Sequence, residues 1–452
     1  MFACLQTALE EADGCAGKYT VGLGQEALGF FDDREDVGSV LMTALARLME
    51  TYGIKPEMIG RLEVGTETLI DKSKSVKTTM LEHLFGRNHS DVEGVTSTNA
   101  CYGGTAALLN SAAWIESSAW DGRYAVVVCG DIAVYEKGPA RPTGGGGAVA
   151  ILLGPDAPLA IVGPRCTHAV ECYDFYKPRG DTEYAMVDGK LSQSAYLTGV
   201  DVTWAGLKRK LDALAMEANL PIPRTSLDSF AHACLHSPYN KLVQKGFARM
   251  LYGDIVDDPS RAEWAADAEA QAWAKVKPSD SVNDREAEKP LRRLSESRFR
   301  DMCTDTHTIS RQVGNCYTAA VYMNLASLVC NKGGALEGEQ VLMYSYGSGA
   351  VATAFILRGR APTGRNSLSL IGKHAEPFTL DRISAAVQMN ERLEGRTKCD
   401  VTAFGAAMDL RAARYGKCDY EPTGSVDALA PGTYYLEKVD QLYRRTYARK
   451  PL

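Results

Sequence analysis

Two passages of this chain occur twice, and the repetition sets the scale of anything it can fold into. Gly314-Asn315-Cys316-Tyr317-Thr318-Ala319-Ala320 echoes the stretch from Asn99 to Ala107, and each precedes a helical run of similar composition. Gly347-Ser348-Gly349-Ala350-Val351-Ala352 echoes Gly145-Gly146-Gly147-Ala148-Val149-Ala150 in the same order and at a similar offset. Matched order and spacing favour a duplicated unit over chance likeness of glycine- and alanine-rich turns. Within the first copy, helices and strands alternate. Asp33-Arg34-Glu35-Asp36-Val37 opens an amphipathic helix through Met49, acidic at its start as the helix dipole prefers. Arg61 to Gly65 reads as a short strand and Ser73 to Phe85 as a helix. Tyr124 to Cys129 and Ala148 to Leu153 read as buried apolar strands. The alternation predicts a layered α/β core in two halves, residues 1–190 and 191–452.

The 452 residues have room for such a duplication, with 45% hydrophobic and 23% charged residues, an ordinary globular mix. A net charge of −6 argues against a nucleic-acid surface. No run approaches the ~18 apolar residues of a membrane span, and the first residues carry no basic region followed by an apolar core. Twelve scattered cysteines form no C-x-x-C pair and no metal-type spacing with the seven histidines. They read as reduced thiols of a cytoplasmic protein, with Cys129, Cys234 and Cys330 in apolar runs as core residues. Residues 257–300 shift to Ala, Asp, Glu, Lys and Arg with little apolar periodicity, and read as a solvated helical insertion rather than a site.

Chemistry gathers at a few positions. Cys101 lies where an extended approach gives way to Gly103, Gly104 and a helical run from Ala106 to Ile115. At a helix N-terminus its thiol is expected to have a lowered pKa, ready to act as a nucleophile. The glycines leave room for an acyl group, and a buried structural cysteine is the alternative. Glu67 follows a strand end, where α/β sites gather, and suits a general base unless it is a surface glutamate before a turn. His236 ends an apolar strand before Ser237-Pro238, placed to polarise a carbonyl or to serve a structural role. Lys241 and Lys245, with Arg249 continuing the row, suit a phosphate-bearing tail or a plain solvated face. Asn315 suits a thioester contact or a helix cap.

Longer stretches carry a resemblance. Ala16-Gly17-Lys18-Tyr19-Thr20, Ile59 to Thr68 with Ile70 to Ser75, Asn99 to Gly104, and Trp120-Asp121-Gly122-Arg123 stand in order along the first half. Ala140 to Gly145, Tyr173 to Pro178, Val187 to Ser192, His236-Ser237-Pro238-Tyr239, Ser345 to Gly349 and Arg444 to Arg449 continue it to the end. Together they resemble the 3-hydroxy-3-methylglutaryl-CoA synthase family of the thiolase-like superfamily. The resemblance implies a duplicated, five-layered αβαβα sandwich, with the first strand of the N-terminal half missing and an edge exposed. It implies condensation of acetyl-CoA with acetoacetyl-CoA, with Cys101 as the acetylated nucleophile, Glu67 as the base and His236 polarising the acceptor. Ala16, Lys18, Thr143, Ser192, Lys241, Lys245, Asn315 and Ser348 would line the CoA and acyl surface of a homodimer that needs no metal or other cofactor. Pro139 and Cys15 stand where members carry asparagine and aspartate. Rival readings are a ketoacyl synthase, which needs no base such as Glu67, and a thiolase, which wants a cysteine where Ser348 stands. A cysteine hydrolase and a non-catalytic CoA-binding protein complete the alternatives.

Overall fold

Two mixed sheets share the order of three strands, although Leu159–Ala169, which falls within residues 1–190, joins the second sheet rather than the first. A computed structural model describes residues 1–219, 224–363 and 377–452. In the first sheet Ile59–Gly65 runs parallel to Tyr124–Ala133 on one side and to Thr96–Ser97 on the other. Gly145–Leu153 then returns antiparallel to Tyr124–Ala133. In the second, His232–Leu235 runs parallel to Gln340–Gly347, and Val351–Gly359 returns antiparallel to it. The second sheet adds Leu159–Ala169 outside Val351–Gly359. Among the described residues nothing pairs with the outer side of Gly145–Leu153, so the expected open edge is present. Phe2–Leu5 belongs to a separate three-stranded sheet, between Ala27–Phe30 and Thr397–Cys399.

Apolar spacing on the helices builds the layers. Val37–Tyr52 starts at a capping box, in which the Asp36 carboxylate accepts from the Ser39 N–H and the Ser39 hydroxyl accepts from the Asp36 N–H. It packs Leu41, Met42 and Leu45 on Leu62, Val64 and Val126 of the first sheet. Gly189–Glu217 and Asn240–Asp257 cover the second sheet through Val200, Trp204, Val243 and Phe247. Between the sheets lie Gly103–Ile115 and Ala320–Lys332, around a shared core of Leu108, Cys129, Cys234, Leu328 and Phe355. The order helix, sheet, paired helices, sheet, helix is the five-layered sandwich that the resemblance implies. Cys129 and Cys234 are core residues as expected, whereas Cys330 is half-buried.

Close backbone approach in the middle layer explains the glycines beside Cys101. A Cβ on Gly104 would sit 2.5 Å from the Thr318 carbonyl oxygen and 3.0 Å from Cys129 Cβ. One on Gly65 would lie 2.5 Å from Gly104 Cα. Gly104 therefore serves the fit between the halves, beyond any room it leaves for an acyl group. Gly104→Ala is expected to destabilise the fold by about 1–3 kcal/mol, since the atoms it meets are backbone and strand rather than a flexible side chain. Thermal unfolding reads this directly, and an unchanged midpoint would show slack between the halves that the contacts do not suggest.

The segment 257–300 departs from the expectation of a solvated insertion. Its main helix, Arg285–Cys303, buries Ala287 and Leu291 against Ala248 and Tyr252 of Asn240–Asp257. Leu294, Phe299, Met302 and Cys303 continue the apolar row onto the core of the second sheet, with charged residues filling the positions between. The helix borders two cavities of about 940 and 800 Å³, and so forms part of a ligand-sized surface.

Candidate active site

Parallel strands deliver the reactive groups, because turns at their carboxyl ends gather at one edge of each sheet. Glu67 follows Ile59–Gly65, and Asp131 lies near the end of the neighbouring strand. Asp131 is fully buried. Its Oδ1 accepts from the Thr66 hydroxyl at 2.7 Å, the Glu67 N–H at 2.8 Å, the Thr68 N–H at 3.0 Å and the Thr68 hydroxyl at 2.8 Å. Its Oδ2 accepts from the Thr318 N–H at 2.9 Å. One carboxylate thus shapes the turn that carries Glu67 and ties that turn to the second half. Burial pushes the Asp131 pKa up, opposed by the hydrogen bonds from Thr318, Thr66 and Thr68.

That turn brings Glu67 to the cysteine. Cys101 Sγ is 3.8 Å from Glu67 Oε2, and both residues are 8% exposed. The expected lowering of the Cys101 pKa does not occur. Burial raises it well above the ordinary thiol value, Glu67 and Asp131 raise it further, and Lys177 pulls it down. Cys101 does stand at a helix start, directly before the Tyr102 cap of a helix that begins at Gly103 rather than Ala106, but the Tyr102 and Gly103 N–H groups are taken by the Asn99 and Ala100 carbonyls, and burial with the two carboxylates outweighs the dipole. The resting cysteine is therefore a protonated thiol beside the Glu67 carboxyl group. Glu67 itself is raised by burial, lowered by Lys177 and raised again by Asp131. A desolvated carboxylate of this kind is a stronger base than one in water.

His236 ends His232–Leu235 in the second sheet, its N–H donating to the Tyr344 carbonyl and its own carbonyl accepting from the Tyr196 hydroxyl. The residue is 1% exposed, and among the described residues neither ring nitrogen has a hydrogen-bond partner. Burial pushes its pKa down to about 3. The imidazole is thus neutral near pH 7, with one N–H to donate and one lone pair to offer, and polar atoms this buried call for a ligand or a water. Among the described residues no hydrogen bond links it to Cys101 or Glu67.

The candidate ligand-lining residues fall into two groups. The loop that holds the exposed Ala16 and Lys18 is fixed by the Glu10 carboxylate, which accepts from the Tyr19 and Thr20 N–H groups at 2.6 Å each. It is docked to the helix of Lys241, whose N–H donates to Leu23, and to Arg141 through Asp13. Thr143 ends the turn that starts at Arg141, and its carbonyl accepts from the Asn315 N–H at 3.3 Å. Asn315 Oδ1 caps the Tyr317 N–H at 2.9 Å, as the capping alternative expects, which leaves its amide nitrogen as the donor for a ligand. Lys245 pairs with Glu288 at 3.0 Å and lies near Gln193, one residue from Ser192. Lys241 borders the larger cavity and Lys245 the smaller, whereas Cys101, Glu67 and His236 line neither. Arg249 leaves the row: it is buried and forks onto Asp201, a structural pairing.

Two acidic residues and one lysine escaped the sequence reading. Asp174 is fully buried and accepts from the Tyr346 hydroxyl and the Gly349 N–H, which holds the loop of Ser348. Asp131 was legible only as a carboxylate inside an apolar strand. Lys177, at 3.0 Å from Glu67 Oε1, gave no signal beyond the Tyr173 to Pro178 stretch.

Family models agree with this architecture. One described as hydroxymethylglutaryl-coenzyme A synthase N terminal matches residues 3–158, and one described as the C terminal of the same enzyme matches 162–450. The cytoplasmic hydroxymethylglutaryl-CoA synthase of Homo sapiens is 45% identical over 99% of this chain and 84% of its own length. The mitochondrial form of Homo sapiens is 42% identical, covering 99% of this chain and 86% of that protein. Among solved structures, MvaS in complex with 3-hydroxy-3-methylglutaryl coenzyme A superposes with a TM-score of 0.80 at 30% identity, over 99% of this chain and 96% of that one.

Proposed function

The chain belongs to the hydroxymethylglutaryl-CoA synthase family, and on that premise we propose that Cys101, Glu67 and His236 carry its reaction. The enzyme condenses acetyl-CoA with acetoacetyl-CoA and water to give 3-hydroxy-3-methylglutaryl-CoA and CoA, a C–C bond-forming step of mevalonate and sterol synthesis. Cys101 attacks the acetyl thioester, its sulfur–carbon bond forms, and its proton ends on the departing CoA thiol. Glu67 takes a proton from the acetyl methyl group, and the electron pair of that C–H bond forms the new bond to C3 of acetoacetyl-CoA. The neutral His236 donates its N–H to the C3 carbonyl oxygen and to the alkoxide it becomes, and the alkoxide takes up the proton held by Glu67, which gives the 3-hydroxyl and restores the carboxylate. Water then cleaves the thioester to Cys101. This chemistry calls for no metal or redox cofactor.

The observation that carries the assignment is the buried pair of Cys101 Sγ and Glu67 Oε2 at 3.8 Å, one nucleophile and one base on a single acyl-sized site. Ala16, Lys18, Thr143, Ser192, Lys241, Lys245, Asn315 and Ser348 would bind the CoA and acyl portions, the two lysines serving the phosphates. A cytoplasmic location completes the reading, supported by the cytoplasmic relatives beside a mitochondrial one, and the homodimer stands on the resemblance alone. The test is intact mass after mixing with acetyl-CoA and then with acetoacetyl-CoA. One acetyl group should appear on the protein and disappear on the second addition; a protein that never gains mass sinks the assignment. His236→Ala should leave acetylation intact and raise the KM for acetoacetyl-CoA by about ten- to a hundredfold, the scale for a lost hydrogen bond to a reacting carbonyl. Unchanged kinetics with that substrate would remove His236 from the mechanism.

A further inference from the structure

Among the described residues Lys177 is the one cation paired with the catalytic carboxylate, and the reaction steps above leave it unused. It follows the short strand Phe175–Tyr176, which pairs with Met186–Val187. Its ammonium is 3.0 Å from Glu67 Oε1, and it lies 4.8 Å from the centre of the Tyr317 ring and 5.6 Å from that of Phe175. The two oxygens of Glu67 are thereby divided: Oε1 faces Lys177, and Oε2 faces the Cys101 sulfur that would carry the acetyl group. Without Lys177 a carboxylate only 5% exposed along its side chain, with Asp131 beside it, would strongly favour its neutral form. A protonated Glu67 cannot take a methyl proton.

We propose that Lys177 is a positioning residue for the condensation, holding Glu67 as a carboxylate with Oε2 turned to the acetyl-cysteine. The inference rests on Glu67 being the base. Lys177 neither touches the acetyl carbon nor moves a proton; its ring contacts to Tyr317 and Phe175 fix where the charge stands. When Glu67 accepts the methyl proton, the pair becomes a neutral acid beside an ammonium, and transfer of that proton to the alkoxide restores it. The groups whose charge or titration is linked to this pair are Cys101 from the nucleophile turn, Asp131 from its strand, Tyr135 and Tyr317 from the surrounding rings, and Glu183 and Tyr415 near the lysine.

The sign of the effect follows. A cation beside a carboxylate lowers its pKa, and condensation needs the ionised form, so activity falls on the acid side as Glu67 protonates. Removing the cation raises that pKa and moves the acid limb of the pH profile upward. In single-turnover condensation from preformed acetyl-enzyme, Lys177→Met should shift the limb up by about one to three units, a typical effect of an adjacent opposite charge. Its rate at pH 7 should fall by roughly tenfold or more and recover in part at higher pH. Formation of the acetyl-enzyme by K177M, read by intact mass, shows that the site has folded. Lys177→Arg keeps the charge and should keep the limb at the wild-type position even where its kcat is lower. A K177M limb at the wild-type position overturns the proposal, as does a K177R limb displaced as far as that of K177M. E67Q separates the parent reading: if that variant condenses at the wild-type rate, the base is misassigned, and the role given to Lys177 falls with it.

Discussion

Cys101→Ser is expected to abolish acetyl transfer, with the rate of acetyl-enzyme formation down by about a thousandfold or more. The substitution removes polarizable sulfur and keeps nearly the same volume in a site that is 8% exposed, so the fold should stand. Serine fails for a stated reason. Burial and the neighbouring Glu67 and Asp131 already push the cysteine thiol well above its ordinary pKa, and a hydroxyl in the same place would hold its proton more tightly still. The other eleven cysteines offer no substitute. Cys129, Cys234 and Cys316 are packed in the shared core with raised pKa values of their own, and none of the remainder contacts Glu67. Intact mass after acetyl-CoA, together with unfolding curves of both proteins, reads the result. An acetyl group gained by C101S at the wild-type rate would place the nucleophile elsewhere.

The fold was legible wherever a signal repeats along the chain. The doubled Gly-Ala and Cys-Tyr passages correspond to the two central helices and the strand pairs around them, so the duplication could be read without coordinates. Strands predicted from apolar runs are present, but longer: Tyr124–Ala133 passes beyond Cys129 and takes in Asp131, because a carboxylate that satisfies six hydrogen-bond donors can be buried at the end of an apolar strand. No local pattern announces such a residue, since its donors come from residues 66–68 and from Thr318. The same holds for Lys177, which meets Glu67 across 110 positions of sequence from a short hairpin. The direction of the Cys101 pKa was misjudged for a related reason. A helix dipole can be inferred from the residues beside the sulfur, whereas the desolvation and the two carboxylates that outweigh it are tertiary. Residues 257–300 show the reverse error, a charged composition concealing a row of Ala287, Leu291, Leu294 and Phe299 that docks the helix.

Glu67→Gln should separate the two half-reactions. The acetyl-enzyme should still form, and condensation should fall by about 10²- to 10⁴-fold, the contribution typical of a positioned general base. Exchange of an acetyl group between two thiols moves a proton from one sulfur to another and creates no charge that must be stored on carbon. Removal of a methyl proton does create such charge, and the site offers Glu67 Oε2 for that proton at the one place adjoining the sulfur. Glutamine keeps the side-chain length and still accepts from its surroundings, so Asp131 continues to hold the turn through its bonds to the residue 67 N–H and to Thr66 and Thr68. What is lost is basicity alone, together with the negative partner of Lys177. Lys177 would then be left beside a neutral amide, and a protein that folds with a lower melting temperature is compatible with that change. Rapid-quench measurement of acetyl loss from preformed acetyl-enzyme on adding acetoacetyl-CoA isolates the step. Condensation by E67Q at the wild-type rate would mean that another group takes the methyl proton, and the pairing of thiol and carboxylate would have to be read as structural.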